Sequence, residues 1–207
     1  MVEPGGHLTS GLILTYQNLF LFGIEPRDQW RRQDGRWRVH YIGIGGHRDP
    51  GETWMETVSR EAMEEAGCAV RLLDGVSPCW CERDGTLRPL SLTWDEPIRP
   101  LFLWEDRFDL PRHGRRQVHF VGLAFRAEAL SEPRPGAEIP AIIGLSAAQT
   151  AETLAGGLSL GELLDQGAAL WEAVSVPRNA ILSPAGTARF FAAYLRAGGQ
   201  PGSPPSS

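Results

Sequence analysis

The segment from Gly46 to Cys68, GHRDPGETWMETVSREAMEEAGC, constrains the chain more than any other stretch, because it spaces Glu52, Arg60, Glu61, Glu64, Glu65 and Gly67 across one loop-helix-loop. Nothing between Thr53 and Ala66 breaks a helix, and Gly67 follows where a left-handed C-terminal cap is expected. At about 100° per residue, Glu61, Glu64 and Glu65 share an arc of roughly 100°, so three carboxylates crowd one face. Met55, Val58, Ala62 and Ala66 form the adjacent apolar face, which docks the helix on a core and leaves the acids looking into a cleft. Such carboxylates repel one another and raise each other's pKa. A hard divalent cation removes that repulsion, and an all-oxygen donor set selects Mg²⁺ or Mn²⁺ over zinc.

The same residues resemble the Nudix hydrolase signature, G-x5-E-x7-R-E-U-x-E-E-x-G-U with U a bulky apolar residue, at every fixed letter. Ala62 and Cys68 stand at the two U positions. The resemblance implies a Nudix-type α/β/α sandwich around a mixed β-sheet. It also implies hydrolysis of the diphosphate bond in a nucleoside diphosphate-X type molecule by a metal-activated water. By that resemblance Glu61, Glu64 and Glu65, with a backbone carbonyl near Gly45, match the metal ligands. Arg60 matches the residue that orients the glutamates, and general-base duty falls to Glu61 or Glu52. A guanidinium fork suits that task, and Arg60 also stands i, i+4 from Glu64. The family commonly adds an acid from outside the signature. Here Glu138 is the candidate, since Gly136-Ala137-Glu138 directly precedes the apolar run Ile139 to Leu145, with Glu96, Glu105 and Glu128 next in line.

Composition agrees with an ordinary folded chain: 207 residues, 42% hydrophobic and 22% charged, make one domain plus an extension. A formal net charge of -5 without a long basic stripe argues against a nucleic-acid partner. Every one of the 20 basic residues is Arg, so an Arg at any single position says little by itself. Cys68, Cys79 and Cys81 have neither zinc spacing nor the even count of a disulfide scaffold, which fits a reducing cytoplasm. The apolar run from Leu12 to Phe22 is interrupted by Thr15, Gln17 and Asn18, so neither a signal peptide nor a membrane span is expected.

Strands are expected at Thr9 to Gly23 and Trp37 to Gly43, with a hairpin turn at Asp34-Gly35, then at Ala69 to Leu73, Ile98 to Trp104, Gln117 to Arg126 and Ala141 to Leu145. A catalytic domain over 1–145 follows. Helices are expected at Ser146 to Ala155, Ser159 to Glu172 and Ser183 to Ala197, so 146–197 reads as a C-terminal helical extension packed on that domain. In the last of these, Phe190, Phe191, Tyr194 and Leu195 recur at helical spacing and must be covered by the core or by a second subunit, as in a homodimer. Residues 198–207, rich in Pro, Gly and Ser, are expected to be a disordered tail.

Two basic clusters stand out as candidate phosphate contacts. Arg31 and Arg38 lie with Arg32 and Arg36 among Trp30 and Trp37 beside the hairpin turn, where rings stack on a base and arginines meet phosphate. Arg115 and Arg116 follow Arg107, Arg112 and His113 before the strand at Gln117. His119 reads as a packed strand residue and His47 as a plain loop residue. The residues downstream of the signature do not name the group X. Two other functions compete with a hydrolase of a small nucleotide. One is a nucleotide-binding sensor that keeps the fold, against which the intact acids argue; the other is a pyrophosphohydrolase of RNA ends.

Overall fold

A computed structural model describes residues 7–75, 77–110 and 116–201, with the side chains of 108–110, 116 and 117 left aside. The described strands form one mixed sheet. Strands β1 (His7–Tyr16) and β2 (Leu19–Ile24) are antiparallel; β3 (Arg31–Gln33) and β4 (Arg36–Ile42) form the next hairpin. After helix α1 (Trp54–Ala66) come β5 (Val70–Leu73), β6 (Cys79–Cys81), β7 (Leu87–Pro89), β8 (Phe102–Leu110), β9 (Arg116–Ala129) and β10 (Ala141–Leu145). The remainder is α2 (Ala147–Thr153), α3 (Leu160–Asp165), β11 (Ala169–Glu172), β12 (Ile181–Pro184) and α4 (Gly186–Arg196). The main path runs β11-β10-β2-β1-β9-β8-β6-β7, with β4 branching to β2, β3 and β12, and β5 to β9. Parallel pairing joins β1 to β9, β4 to β12 and β6 to β8.

The pleat sorts the core into two layers. Leu12, Leu14, Leu123, Phe125 and Ala127 point to one face and pack on Trp54, Val58, Ala62 and Ala66 of α1. Ile13, Phe22, Tyr41, Phe102, Trp104 and Ala124 point to the other, where Phe190 and Phe191 of α4 and Leu160 and Leu163 of α3 cover them. This is the expected mixed sheet between helices.

Several sequence expectations fail locally, each for a physical reason. The single strand expected at Thr9 to Gly23 is two strands, because Gln17 and Asn18 both take left-handed φ (48° and 66°) and turn the chain without a glycine. The turn at Asp34-Gly35 forms as expected, with φ of 51° and 75°. The helix expected at Ser159 to Glu172 stops at Asp165. Gly167, at φ 95°, redirects the chain, and Ala169 to Glu172 pair with β10, whose open edge overrides their helix propensity. The last helix does not open at Ser183-Pro184. Those residues pair with His40 and Tyr41 in β12, and the helix begins at Gly186. Residues 146–197 thus lend two strands to the sheet as well as three helices. Gly198 to Pro201 are placed too, with the Tyr194 hydroxyl donating to the Gln200 carbonyl at 3.1 Å; the rest of the expected tail lies outside the described residues.

Candidate active site

Helix α1 is fixed at its first turn by two acids. Thr53 and Glu56 form a capping box, the Thr53 hydroxyl accepting from the Glu56 N–H at 3.2 Å while the Glu56 carboxylate accepts from the Thr53 N–H at 2.8 Å. The Glu96 carboxylate takes the N–H groups of Trp54 at 2.9 Å and Met55 at 3.2 Å. Gly67 closes the other end in a left-handed cap at φ 58°. Glu96 is therefore occupied as a helix cap. Glu128 pairs with Arg71 and is engaged elsewhere, while Glu105 lies 3.4 Å from His119 without a hydrogen bond between them.

Arg60 organises the carboxylates. Its Nε donates to Glu52 Oε1 at 2.8 Å and its Nη1 to Glu61 Oε1 at 2.8 Å and to Glu64 Oε2 at 2.9 Å. Its Nη2 donates to the His47 carbonyl at 3.2 Å and to Glu52 Oε2 at 3.2 Å. Glu52 Oε2 also accepts from the Asp49 N–H at 3.1 Å and the Thr57 hydroxyl at 3.0 Å. With Arg60 first among the causes, these bonds hold the Glu52 carboxyl down at about 2. Both Glu52 oxygens are committed, so its task here is to anchor Arg60 and the loop.

The loop reaches the helix through two glycines. Gly45, at φ 145°, passes so close to β1 that a Cβ would stand 2.4 Å from the Ser10 carbonyl, and its N–H donates to Glu65 Oε2 at 2.8 Å. A Cβ on Gly46 would fall 2.4 Å from Glu61 Oε1. Its carbonyl accepts from the Ser10 N–H at 2.8 Å, which ties the loop to β1. A third approach brings the loop before β10 onto the end of α1. The Arg134 N–H bonds the Ala66 carbonyl and the Gly136 N–H the Glu65 carbonyl, both at 2.8 Å. That contact carries Glu138 close enough for its charge to act on both Glu61 and Glu65.

Burial is the largest cause raising the Glu61 carboxyl, against the opposing bonds from Arg60. Burial also pushes the Glu65 carboxyl up to about 7; the Gly45 N–H opposes this, and Glu61, Glu138 and Glu64 add to it. Five carboxylates, those of Glu52, Glu61, Glu64, Glu65 and Glu138, are thus gathered with the one cation of Arg60 among them. Among the described residues no three His, Cys, Asp or Glu side chains already stand as a closed metal cage. The donors are nonetheless all oxygen and short of positive charge, which fits a hard divalent cation.

A pH dependence follows for the chain held in chelator. Below about 4.5 Glu65 is neutral whether folded or not and contributes nothing. Between about 4.5 and 7 the unfolded chain ionises first, and above 7 the full cost of a buried charge is present, on the order of 3 kcal/mol against folding. The melting temperature should fall between pH 5 and pH 8, and Glu65→Gln should remove most of the fall. Calorimetry on both chains checks this, and equal pH dependence would show that Glu65 is not its source.

Of the basic candidates, Arg31 and Arg38 are placed on the β3–β4 hairpin rather than on the loop before α1. They pair across it, and Arg38 lies about 13 Å back along β4 from Ile42, where the loop begins. Arg27 and Arg32 rest over the rings of Trp30 and Trp37, and Trp30 is buried with its indole N–H on the Glu25 carbonyl, so it offers no stacking face of the kind expected. Arg115 lies outside the described residues, and of Arg116 only the backbone, paired with Leu110, is described. His119 is a strand residue opposite Arg107, as expected. Sequence reasoning missed Glu96 as a cap and Thr57 as a hydrogen-bond donor to Glu52; both are contacts between residues whose local pattern carries no sign of them. The described part holds no helix long and apolar enough to cross a membrane.

No family model matches the chain, and a search of curated proteins finds no relative. Among solved structures, a Nudix hydrolase from Nitrosomonas europaea matches at 17% identity and a TM-score of 0.40, over 70% of this chain and 60% of that one. An ADP-ribose pyrophosphatase from Streptococcus suis matches at 16% identity and a TM-score of 0.42, over 95% and 94%. The MutT protein from Methanosarcina mazei Go1 matches at 15% identity and a TM-score of 0.43, over 73% and 85%.

Proposed function

We propose that this chain is a Nudix hydrolase that cleaves the diphosphate bond of a small nucleoside diphosphate-X type substrate in the cytoplasm, with Mg²⁺ or Mn²⁺. The observation that carries the reading is the single guanidinium of Arg60 holding Glu52, Glu61 and Glu64 at 2.8 to 2.9 Å, on the helix whose Glu65 is tied to Gly45. Glu61, Glu64, Glu65 and the Gly45 carbonyl would hold the cation, which when bound supplies positive charge to the diphosphate oxygens and eases ionisation of water. Arg60, spent on carboxylates, keeps those ligands aimed; Glu52 keeps Arg60 in place. Glu138 has neither a hydrogen bond nor an ion pair among the described residues, so both its oxygens are available to accept a proton. We assign it the general base, since Glu61 has one oxygen on Arg60 and is needed for the cation.

The test is a panel of nucleotide sugars, ADP-ribose, dinucleoside polyphosphates, NADH, coenzyme A and oxidised nucleotides, assayed with Mg²⁺, with Mn²⁺ and in chelator. At least one should be hydrolysed, only with metal. On that substrate Glu138→Gln should lower kcat about a hundredfold with little change in KM. Turnover in chelator, or none across the panel, refutes the reading; a fully active Glu138→Gln moves the base to Glu61.

A further inference from the structure

The diphosphate that this reading requires needs a cation from the protein, and Arg60 cannot supply it. Among the described residues its hydrogen bonds all go to Glu52, Glu61, Glu64 and the His47 carbonyl. Arg48 is placed differently. It is exposed on the loop between Gly46 and α1, and its guanidinium carbon lies 4.7 Å from the centroid of the Trp54 ring. Among the described residues no carboxylate pairs with it. An aromatic face holds a guanidinium without neutralising it and leaves its N–H groups free to donate.

Both flanks of Arg48 are fixed. The His47 carbonyl is bound by Arg60, and the Asp49 N–H is bound by Glu52, whose own N–H returns to the Asp49 carbonyl at 3.1 Å. Trp54 itself is buried in the core beneath α1. The cation is therefore seated before any ligand arrives. Trp54, Glu61 and Glu65 are also aligned, since steps of seven and eleven residues bring a helix back to within about 20° of the same direction. Along that column the first acid lies about 10 Å beyond the tryptophan. One end of the column gathers carboxylates for a metal, and the other carries a preset cation.

We propose that Arg48, seated on Trp54, binds the substrate's diphosphate through the phosphoryl oxygens farther from Glu61 and Glu65. This rests on the hydrolase reading above and assigns a binding residue that the signature leaves as a free position. Its consequence is a preference for substrates with negative charge at both ends of the anhydride. Arg48 then acts on affinity, and the rate of the bound complex is left to the acids.

The experiment compares the full chain with Arg48→Gln and Arg48→Lys on whichever panel substrate is turned over, and titrates each with α,β-methylene-ADP by calorimetry in Mg²⁺. Arg48→Gln should raise KM and the Kd of the analogue about tenfold, with kcat within about threefold. Arg48→Lys should recover part of the loss, and the melting temperature should not move. Unchanged KM and Kd in Arg48→Gln, beside an active parent chain, overturn the proposal and leave the hydrolase standing. A fall in kcat with a lowered melting temperature also overturns it, since that is the mark of a structural residue. A parent chain that neither binds the analogue nor turns over any substrate removes the hydrolase reading, and this one with it.

Discussion

Replacing Glu65 by Gln is expected to lower kcat at least about a hundredfold and to raise the Mg²⁺ concentration needed for half-maximal rate, while the fold survives. Glu65 is the most deeply placed of the acids, its carboxyl already raised to about 7 by burial and by its neighbours, so it gains more than the others from a bound cation. A Gln carbonyl can still accept the Gly45 N–H that Glu65 Oε2 takes at 2.8 Å, which keeps the loop seated. Glu64→Gln should show a similar loss of rate. Its side chain is 58% exposed and bonded to Arg60, so its removal costs the core little. Metal titrations of the rate, with melting curves on the same samples, check both variants. Full activity in either, with unchanged metal dependence, would refute the assignment of metal ligands.

Removing the chain from Ser183 onward is expected to abolish soluble folding. The deletion takes Phe190 off Trp104, where the rings stack 4.7 Å apart, Phe191 off Phe20 at 4.8 Å, and Tyr194 off Phe102 at 5.4 Å. It also takes Thr187 from the space above Gly11 and Gly43, where no Cβ would fit. Each fully buried side chain of this size contributes about 1.5 to 3 kcal/mol, so a handful rivals the 5 to 15 kcal/mol by which domains are ordinarily stable. A cut after Gly198 should be mild, losing the Gly199 N–H bond to Tyr194 and the Tyr194 hydroxyl bond to Gln200, about 1 kcal/mol each. Light scattering and circular dichroism separate the two. A monodisperse, folded product of the shorter chain would show that α4 is dispensable.

The aromatic stripe of α4 illustrates how far sequence goes. Its spacing demanded a cover, and left open whether the core or a second subunit supplied it. The tertiary structure supplies the core: Phe190 and Phe191 are fully buried among residues from strands far away in sequence. The strands at Ala169 to Glu172 and Ile181 to Pro184 were hidden for a related reason. A four-residue segment has too little pattern to choose its own state, and the edges of β10 and β4 chose for it. Gln17-Asn18 hid a turn because neither residue is Gly, although Asn tolerates the left-handed region.

The helix from Trp54 to Ala66, its caps at Thr53 and Gly67, and the crowding of Glu61, Glu64 and Glu65 beside Arg60 were determined by the sequence alone, because every one of those relations spans fewer than four helical turns and follows from local geometry. The position of Glu138 was legible as a guess from its place before an apolar run. Only the folded chain brought it to the acids, through the bonds of Arg134 and Gly136 to the end of α1. The tertiary structure likewise decided that Glu96 caps the helix, that Arg31 and Arg38 stand away from the loop, and that Arg48 rests on Trp54. The physical reason is common to all of these. Contacts along one helix are fixed by its period, whereas contacts between distant segments depend on which strand edges and core faces remain to be satisfied, and no local pattern records that.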